Sequence, residues 1–450
     1  MTPDFSALTF TVVTYGCQMN KHDSERICGM LEACGALETD SFASADIVVF
    51  MTCCVREAAD VRLYGQVSSI KNVPLRPASP LKKRIIAIGG CIGQRDGDEL
   101  IKRMSHVDVV FGTFNLGMLP GLISDAISQS RSQVSVLEGG GEFPTSLPTV
   151  REHAWAAWLP IMIGCNNFCT YCIVPYVRGR EKSRSMEDIL EEAQRYRDEG
   201  VAELTLLGQN VNSYGRDLYA TPRFAELLKR VDELGFPRLR FATSHPKDIS
   251  DELIEAFGTC ESLMPALHLP VQHGSNRVLR LMNRGYTRES YLEKVRKLRT
   301  VRPDIALSTD LIVGFPGETE EDFALTLDIV REVGYQQVFT FIYSKREGTP
   351  AARFEQNATP EEIQDRFDRL VKVVEECAKS SNDVDEGSVV SVLFEGTSKK
   401  DSLRLTGHSE KNQTVHVPLP ATRAPEDFIG RILPVRVTQA KTWYLLGELV

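Results

Sequence analysis

The sequence lacks any apolar run long enough to cross a bilayer, which takes about 18–20 consecutive residues. Its first ten residues, MTPDFSALTF, contain no basic stretch followed by an apolar core, so we expect no signal peptide. Basic residues are in deficit, because 52 Lys and Arg stand against 61 Asp and Glu, a net charge of −9. That balance gives no overall basic footprint for phosphate binding, although a local basic patch is compatible with it. We therefore expect a cytoplasmic protein with no membrane partner.

Cysteine is the residue type that stands out, with 11 in the chain. In the cytoplasm this number points to metal binding or catalysis rather than to disulfides. The stretch GCNNFCTYC places Cys165, Cys169 and Cys172 at C-x3-C-x2-C spacing, and the next cysteine is Cys260. A structural zinc site normally has four protein ligands, whereas three thiolates on a [4Fe–4S] cluster leave one iron open to a small molecule. The spacing favours the open cluster over a partial zinc site or three unrelated core cysteines.

A second set of three cysteines is spread over residues 8–125. Short apolar, β-rich runs alternate there with helical sequence, which predicts an open parallel sheet with helices on its faces, and the runs occupy 9–16, 46–52, 84–90 and 108–112. Cys17, Cys53 and Cys91 directly follow the first three runs. Because ligands of such sheets bind at the carboxyl ends of the strands, we expect these thiols at one edge. Buried loop cysteines and a zinc site with a further ligand are the alternatives.

The rest of the chain divides into three parts by composition. Residues 126–150 are rich in Ser, Gly and Gln and predict a linker. Residues 151–382 repeat strand and helix about six times, which predicts a partial (β/α)6 barrel with its chemistry at the C-terminal strand ends. Residues 383–450 contain short β runs with turns and predict a small antiparallel barrel. Such barrels commonly bind nucleic acid, and a purely structural cap is the alternative.

Polar and Gly-rich sequence follows each strand of the predicted (β/α)6 barrel, as the mouth of a ligand site requires. The side chains that we expect to hydrogen-bond a cofactor are Gln209, Asn210, Ser244, Gln272 and His273. Gly314 and Gly317 allow close backbone approach. Arginines after the cysteine loop are candidates for phosphate contacts, with ordinary ion pairing as the alternative: Arg178, Arg180 and Arg184. A basic face on the last segment is expected to include Lys399, Lys400, Arg404, Lys411, Arg436 and Lys441.

These motifs together resemble the methylthiotransferase family of radical S-adenosylmethionine (SAM) enzymes. The resemblance covers an N-terminal methylthiotransferase domain, a radical SAM core and a C-terminal TRAM domain. It rests on YGCQMNKHDSE, TCCVRE, GGCIGQ, GCNNFCTYCIVPYVRGRE, LLGQNVNSYG, HLPVQHGSNRVLRLMNRGYTRE, STDLIVGFPGETEEDF and YSKREGTPAA. Tyr171 occupies the aromatic position of the radical SAM signature C-x3-C-x-aromatic-C.

The resemblance implies two [4Fe–4S] clusters and two molecules of SAM per turnover. The cluster at Cys165, Cys169 and Cys172 would bind SAM and generate a 5′-deoxyadenosyl radical. The auxiliary cluster at Cys17, Cys53 and Cys91 would supply the sulfur, with Cys53 rather than its neighbour Cys54 as the ligand. One SAM would donate the methyl group and the other would be the radical source.

Within the family, GCQMN and TC-x-VR resemble the branch that acts on tRNA. That branch adds a methylthio group to C2 of N6-dimethylallyladenosine at position 37, so the anticodon stem-loop is the expected partner. We also expect a reductant such as flavodoxin or ferredoxin, an iron–sulfur carrier protein and a monomeric enzyme. The alternatives are methylthiolation of threonylcarbamoyl-adenosine in tRNA or of a ribosomal aspartate, a non-catalytic iron–sulfur or zinc protein that binds RNA, and a radical enzyme whose N-terminal cluster only relays electrons. Met51 stands where the family usually has Asn, so we expect altered hydrogen bonding near Cys53.

Overall fold

A computed structural model describes residues 3–54, 57–137 and 147–450. The chain forms two compact units. The N-terminal unit consists of Met1–Glu152, Met162–Asn166 and Cys172–Lys182. The C-terminal unit consists of His153–Ile161, Asn167–Tyr171 and Ser183–Val450. Parts of the cysteine-rich loop thus belong to each unit.

The N-terminal unit is built on a six-stranded sheet in which all neighbouring strands run parallel. The spatial order is Leu37–Glu38, Thr9–Thr14, Ile47–Thr52, Ile85–Gly90, Val109–Phe111 and Gln133–Ser135. The third and fourth strands in this order are buried along their whole length. Their continuous apolar sequence is typical of parallel strands that are covered on both faces. The open parallel sheet predicted from the sequence is confirmed.

Helices cover both faces of this sheet and create two apolar cores. The α-helices are Gln18–Ala33, Glu57–Ile70, Cys91–Asp96, Asp98–Arg103, Leu119–Gln129 and Val174–Val177, and Leu116–Met118 is a 3₁₀ turn. One core contains Ile27, Leu31 and Phe111, and the other contains Phe50 and Ile92. Burial of such side chains stabilises the unit by about 1.5–3 kcal/mol each.

The predicted linker at 126–150 needs a correction. Helix Leu119–Gln129 runs into it, and Gln133–Ser135 forms the sixth strand of the sheet. This edge strand is short, polar and half-buried, so it has no hydrophobic pattern that could have revealed it. Residues 138–146 lie outside the described part of the chain.

The C-terminal unit contains the predicted partial barrel, with six parallel strands in two groups of three. The groups are Arg238–Phe241, Glu203–Leu207 and Ala156–Pro160, and Ala266–His268, Ala306–Val313 and Gln337–Ile342. A parallel bridge between Leu239 and Leu263 joins the two groups. In this described region, Ala156–Pro160 and Gln337–Ile342 do not pair with each other, so the barrel is open.

Helices alternate with these strands, and most of them are capped by a serine or threonine side chain. Thr319 Oγ1 accepts from Asp322 N at 3.3 Å while Thr319 N donates to Asp322 Oδ2 at 3.0 Å, a capping box that fixes the start of Glu320–Val333. The helices are Met186–Asp198, Arg216–Tyr219, Phe224–Asp232, Asp251–Thr259, Asn276–Leu281, Arg288–Val301, Glu320–Val333 and Pro360–Asp383. The 3₁₀ turns are Val211–Ser213, Pro246–Asp248, Pro350–Arg353 and Pro425–Asp427. No helix in the described residues has both the length and the apolar character that a membrane span needs.

The chain ends in a closed five-stranded barrel, hereafter the small barrel. Its order is Val389–Ser398, Asp401–Ser409, Thr414–Pro418, Leu445–Leu449 and Ile432–Ala440, and the last strand pairs with the first. The sequence predicted an antiparallel barrel, but Thr414–Pro418 and Leu445–Leu449 run parallel because closure brings them together. Arg238 Nη2 donates to Ser391 O at 2.7 Å and Arg240 Nη2 to Ser409 O at 2.9 Å. The small barrel is therefore tied to the N-terminal ends of the strands of the open barrel.

Candidate iron–sulfur and cofactor sites

Three thiols follow three adjacent strands of the N-terminal sheet. Cys17 precedes helix Gln18–Ala33, Cys53 directly follows strand Ile47–Thr52, and Cys91 opens helix Cys91–Asp96. Since their strands are neighbours in the sheet, the three cysteines lie at one edge, as the sequence predicted. Gly16 has φ 112°, and a Cβ there would overlap Cys53 Cβ and lie 2.9 Å from Cys53 Sγ. The strand end needs glycine at this position for the close approach of Cys53.

A buried guanidinium lies among these thiols. Arg178 is 5% exposed, and its Nη2 donates to Asn20 Oδ1 at 2.6 Å and to Asp23 Oδ2 at 3.2 Å. Burial alone would lower the pKa of Arg178, but the charges of Cys91, Asp23 and Cys17 outweigh it and raise the pKa. The Cys54 thiol donates a hydrogen bond to Cys91, which lowers the pKa of Cys91 against the effect of burial, and Arg178 adds to that lowering. Burial raises the pKa of Cys17, and Arg178 opposes that shift.

These residues fit an iron–sulfur cluster by the chemistry of their side chains. The site offers three thiols from three strands, a thiol donor on Cys54 and one buried cation, and a thiolate-ligated cluster is anionic. Across the described residues, no three His, Cys, Asp or Glu side chains converge as ligands of a single metal ion would. Ligands of a [4Fe–4S] cluster are instead spread over separate iron atoms, so this finding concerns mononuclear sites.

The strand end beside Cys53 is well hydrogen-bonded although Met51 stands where the resemblance usually predicts Asn. Asn20 Nδ2 donates to Tyr15 O at 2.7 Å and to Thr52 O at 2.9 Å. Thr52 Oγ1 donates to Gly89 O at 2.5 Å and accepts from the backbone N of Ile92 at 3.1 Å. Met51 itself is 1% exposed and packs in the apolar core. Asn20 and Thr52 therefore supply polar contacts at this edge.

The C-x3-C-x2-C loop has anchors in each unit. In the N-terminal unit, Cys165 N donates to Gly179 O at 3.0 Å, and a Cβ on Gly164 would overlap the carbonyl of Arg180. In the C-terminal unit, Thr170 N donates to Met282 O at 3.1 Å, and Thr170 O accepts from Ala351 N at 2.9 Å. These bonds hold the backbone next to the cysteines in a defined path.

A buried arginine, Arg284, contacts Cys169. The sequence alone did not predict this contact. Arg284 Nη1 donates to Cys169 Sγ at 3.2 Å and lies 3.4 Å from the hydroxyl of Tyr171. Its other donors reach Pro270 O at 2.8 Å and the Tyr286 hydroxyl at 2.9 Å. Burial opposes the charged form, but its interactions with Tyr171, Tyr286 and Cys169 raise the pKa of Arg284. In the sequence, Arg284 is separated from the loop by over a hundred residues, so no local pattern revealed it.

Buried polar atoms without a partner gather after the strands of the open barrel. The atoms that have no hydrogen-bond partner in the described part of the chain include Asn210 Oδ1, Asn212 Nδ2, Ser244 Oγ, His245 Nε2 and Tyr343 OH. Burial and the charge of Arg284 lower the pKa of His245, so its ring is neutral. A buried polar group without a partner costs about 1–3 kcal/mol, which favours a polar ligand at this end. These residues fit SAM, whose amino, carboxylate and ribose groups form hydrogen bonds.

Two of the predicted cofactor contacts are not supported, because their polar groups are satisfied inside the protein. The His273 side chain is fully buried, with Nε2 2.7 Å from Glu318 Oε1 and Nδ1 accepting from Ser275 N at 3.0 Å. Gly314 N donates to the other carboxylate oxygen of Glu318 at 2.7 Å, and a Cβ on Gly314 would clash with Ile363. These residues brace the GFPGE turn. Asn210 and Ser244 keep buried unsatisfied atoms, while Gln209 is half-buried and Gln272 is buried with φ 68°.

Of the three arginines predicted to contact phosphate, two are buried in ion pairs and one is exposed. Arg178 is buried against Asp23, and Arg184 is 4% exposed with Nη2 2.7 Å from Glu192. Neither guanidinium is placed at the surface to hold a phosphate, and the sequence could not reveal these carboxylate partners. Arg180 is exposed.

On the small barrel, Lys399 and Lys400 are exposed at a hairpin tip, and Arg404 pairs with Asp401 at 3.1 Å. Lys411 pairs with Asp385 at 2.7 Å, and its carbonyl accepts from Gln336 Nε2 at 2.9 Å. Gln336 immediately precedes the last strand of the open barrel, so Lys411 lies at the junction between the barrels. A basic face that includes both the tip and Lys411 is therefore not supported.

A half-exposed His–Asp pair lies on the inner side of the open barrel. His268 Nε2 is 3.4 Å from Asp310 Oδ2, with side chains 28% and 26% exposed, and His268 Nδ1 is 3.0 Å from Ser308 Oγ. Thr309 is fully buried, and its hydroxyl donates to Leu269 O, which also accepts from Tyr291 of the outer helix Arg288–Val301. Because side chains alternate along a strand, Ser308 and Asp310 face the barrel interior. In the sequence, Ser308 and Asp310 were detectable as alternating polar residues at the start of the stretch STDLIVGF.

Three family models match the chain. The model described as the radical SAM superfamily matches residues 159–330, and the TRAM domain matches residues 383–450. The uncharacterized protein family UPF0004 matches residues 9–112. The matches cover the six cysteines of the two candidate sites.

Curated relatives match over almost the whole chain. The chain is 47% identical over 440 residues to a tRNA-2-methylthio-N(6)-dimethylallyladenosine synthase of Acetivibrio thermocellus, covering 97% of this chain and 90% of the relative. Relatives with the same name occur in Clostridium botulinum, at 45% identity over 99% of this chain and 98% of the relative, and in Carboxydothermus hydrogenoformans, at 44% over 98% and 99%.

Solved structures share the fold at low sequence identity. The radical SAM methyltransferase TsrM from Kitasatospora setae, solved with cobalamin and a [4Fe–4S] cluster, gives a TM-score of 0.54. It is 14% identical and covers 77% of each chain. This likeness shows the fold alone.

Proposed function

Because the chain belongs to the tRNA-2-methylthio-N(6)-dimethylallyladenosine synthase family of radical SAM proteins, we propose that it performs this reaction on tRNA. Its substrate is N6-dimethylallyladenosine at position 37, and its product carries a methylthio group at C2. The observation that carries the proposal is the pair of separate cysteine sets, one in the C-x3-C-x2-C loop and one at three adjacent strand ends. Sulfur insertion requires both a radical source and a sulfur source, and two sites match two tasks.

A [4Fe–4S] cluster with SAM supplies the one-electron chemistry that activates C2, and an auxiliary cluster supplies the sulfur. In this proposal, Cys165, Cys169 and Cys172 are the ligands at the radical site, and Cys17, Cys53 and Cys91 are those at the auxiliary site. One SAM is consumed as methyl donor and one as radical source.

The surrounding residues bind and orient these groups. Arg284 donates to Cys169 Sγ and holds Tyr171 beside it. Asn210, Ser244 and His245 each have a buried polar atom without a partner. These atoms would form hydrogen bonds with the amino, carboxylate and ribose groups of SAM. Burial of Cys53 and Cys91 to 3% exposure excludes water from their sulfurs.

The target base is unstacked from the anticodon loop and enters the open barrel. Unpaired loop bases are the common targets of RNA-binding proteins and cost little to extrude. His268 and Asp310 are half-exposed on the inner side of this barrel and face the base. Asp310 accepts the single N–H that a prenylated adenine retains at N6, and the ring of Phe339, 5.8 Å from that of His268, is available for stacking. Arg180, Lys399, Lys400 and Arg404 contact RNA phosphates.

The reaction also needs partners. A flavodoxin or ferredoxin provides electrons, and an iron–sulfur carrier protein loads the clusters. The tRNA substrate places the enzyme in the cytoplasm, and we expect it to act as a monomer.

The first experiment is anaerobic reconstitution with iron and sulfide counting on three triple variants. Removal of Cys165, Cys169 and Cys172, or of Cys17, Cys53 and Cys91, should each leave about half of the iron, with a [4Fe–4S] spectrum. A matched control replaces Cys34, Cys260 and Cys377 by Ala and should keep all of it. If the first variant holds no cluster, the auxiliary site is absent and the proposed reaction is wrong.

The second experiment identifies the substrate. A deletion strain complemented with the wild type should regain 2-methylthio-N6-dimethylallyladenosine in its tRNA nucleosides, whereas each cysteine-set variant should not. Appearance of methylthiolated threonylcarbamoyl-adenosine or of a modified ribosomal aspartate would assign a different substrate. A protein that binds RNA but does not cleave SAM when reduced would not be an enzyme of this class.

A further inference from the structure

The segment that follows the radical-site loop is part of the N-terminal unit. It begins at Cys172 and runs to Lys182. Ile173 and Val177 pack in the same apolar core as Cys54 and Cys91. The Val177 carbonyl accepts from Thr113 Oγ1 at 2.7 Å. One end of this short segment is thus a proposed radical-site ligand, and its apolar side chains share a core with Cys91 of the auxiliary set.

Arg178 is the charged residue that this segment inserts into the auxiliary site. Its guanidinium interacts with Cys91 and Cys17 in addition to Asn20 and Asp23. Asn20 and Asp23 lie in the first turns of helix Gln18–Ala33, immediately after Cys17. A guanidinium that is 5% exposed loses its hydration, so it is stable only where anionic partners surround it. Asp23 at 3.2 Å supplies one such charge, and the anionic cluster of the proposed function would supply the rest.

Arginine suits this position because it remains charged and has donors in several directions. A [4Fe–4S] cluster with three thiolates is anionic and gains one further negative charge on reduction. A fixed cation beside it stabilises the reduced form more than the oxidised form, because reduction potentials depend on net charge and on hydrogen bonds to sulfur.

We propose that Arg178 is the positioning residue that balances the charge of the auxiliary cluster and fixes segment Cys172–Lys182 to it. The assignment rests on the proposed function, since it requires a cluster at Cys17, Cys53 and Cys91. Arg178 acts through these ligands and does not touch the target base. By reciprocity of coupling, a loaded auxiliary cluster orders the segment, and an ordered segment favours the loaded cluster.

The first test measures the midpoint potential of the auxiliary cluster in the C165A/C169A/C172A background. R178M, which removes the charge, should lower the ratio of reduced to oxidised cluster at least tenfold at the parent midpoint, a shift of about 59 mV for one electron. R178K, which keeps the charge, should lie closer to the parent than to R178M. D23N, which removes a neighbouring negative charge, should shift the potential in the opposite direction.

A matched control is R76M, which breaks an ion pair in the same unit. Arg76 Nη2 lies 2.6 Å from Asp46, a residue that precedes strand Ile47–Thr52 and hence lies at the opposite edge of the sheet. This variant should leave the potential unchanged. Equal potentials in the parent, R178M and D23N would overturn the assignment. If R178M holds no cluster, the midpoint potential of D23N becomes the test. An unchanged potential in D23N would then overturn the assignment of Arg178.

The second test measures amide hydrogen exchange in residues 173–180 of the full chain, with and without the auxiliary cluster. Loading should slow exchange in the wild type, and R178M should lose that difference while R76M keeps it. A purely structural arginine would instead change exchange equally in both states. If the C165A/C169A/C172A protein holds no iron, the proposed function fails together with this inference. If it holds a cluster whose potential ignores Arg178, only the inference fails.

Discussion

His408 of the small barrel lies with Nε2 3.0 Å from Glu203 Oε2, at the start of a strand of the open barrel. Its Nδ1 is 2.7 Å from Glu395 Oε1, so both ring nitrogens face carboxylates. Burial opposes its charged form, but the hydrogen bonds to Glu203 and Glu395 raise the pKa of His408. Burial is likewise outweighed at Glu203, where His408 and Arg240 lower the pKa to about 2.

This pair predicts how stability depends on pH. The contribution of His408 is complete below its ordinary value of 6.5 and is lost as pH rises through its raised folded pKa. The contribution of Glu203 is complete above its ordinary value of 4.5 and is lost as pH falls toward about 2. The junction of the barrels should therefore be most stable between these two ordinary values.

His408→Gln should cost about 1.5–3 kcal/mol near pH 6 and abolish the loss of stability on the alkaline side. Urea unfolding followed by tryptophan fluorescence measures this, because Trp155, Trp158 and Trp443 all lie in the C-terminal unit. The control is His416→Gln in the same barrel, where burial and Arg404 lower the pKa. If the loss of stability at alkaline pH persists in His408→Gln, a group other than His408 causes it.

Arg284→Met should impair the radical site. The change removes the donor to Cys169 Sγ and leaves Pro270 O without its 2.8 Å partner. In a protein without the auxiliary cysteines, we expect at least tenfold slower SAM cleavage and a lower cluster potential, since hydrogen bonds to sulfur raise it. Arg230→Met is the control, because its ion pair with Glu233 is exposed and should be worth about 0–1 kcal/mol. Cleavage at the wild-type rate in Arg284→Met would show that this contact has no role in cluster chemistry.

Gly16→Ala should empty the auxiliary site while sparing the radical site. A Cβ at Gly16 would overlap Cys53, and φ 112° adds strain of about 1–3 kcal/mol. The expected result is loss of about half of the reconstituted iron. Gly200→Ala has a similarly positive φ of 81°, but no described atom lies within 4 Å of the added Cβ. If both variants keep the same iron content, the close approach of Gly16 and Cys53 is dispensable.

Asp310→Asn should weaken recognition of the prenylated adenine. The amide replaces one acceptor oxygen with a donor, which opposes the N–H of the base, so kcat/KM should fall about tenfold to a hundredfold. Iron content and SAM cleavage without tRNA should stay unchanged. Asp328→Asn on the outer helix Glu320–Val333, with a side chain 59% exposed, serves as the control. A normal kcat/KM in Asp310→Asn would remove this residue from the proposed base contacts.

Local patterns predicted the elements that bury apolar side chains and the cysteines that follow them. Strands such as Ile47–Thr52 are continuous apolar runs, and Cys53 follows directly, so both features lie within one short stretch. Gln133–Ser135 was missed because a polar edge strand has no such pattern.

Partners that are distant in sequence could not be predicted. The sequence around Arg178 and Arg184 is typical of exposed arginines. Ion pairs with Asp23 and Glu192 nevertheless hold both side chains inside the protein. His273 was expected in the cofactor site, whereas Glu318 holds it below the GFPGE turn. Such pairings depend on packing between elements, which a single sequence does not display.

Segment Cys172–Lys182 makes the N-terminal unit discontinuous, and this limits how the protein can be taken apart. A fragment that stops at residue 152 would lose Ile173 and Val177 from one core and Arg178 from beside Asp23. That fragment would expose an apolar face and should aggregate when expressed alone. A functional transplant of the N-terminal unit into another enzyme must carry this segment along. Recombination at the boundary between the family models would therefore not produce an independent module.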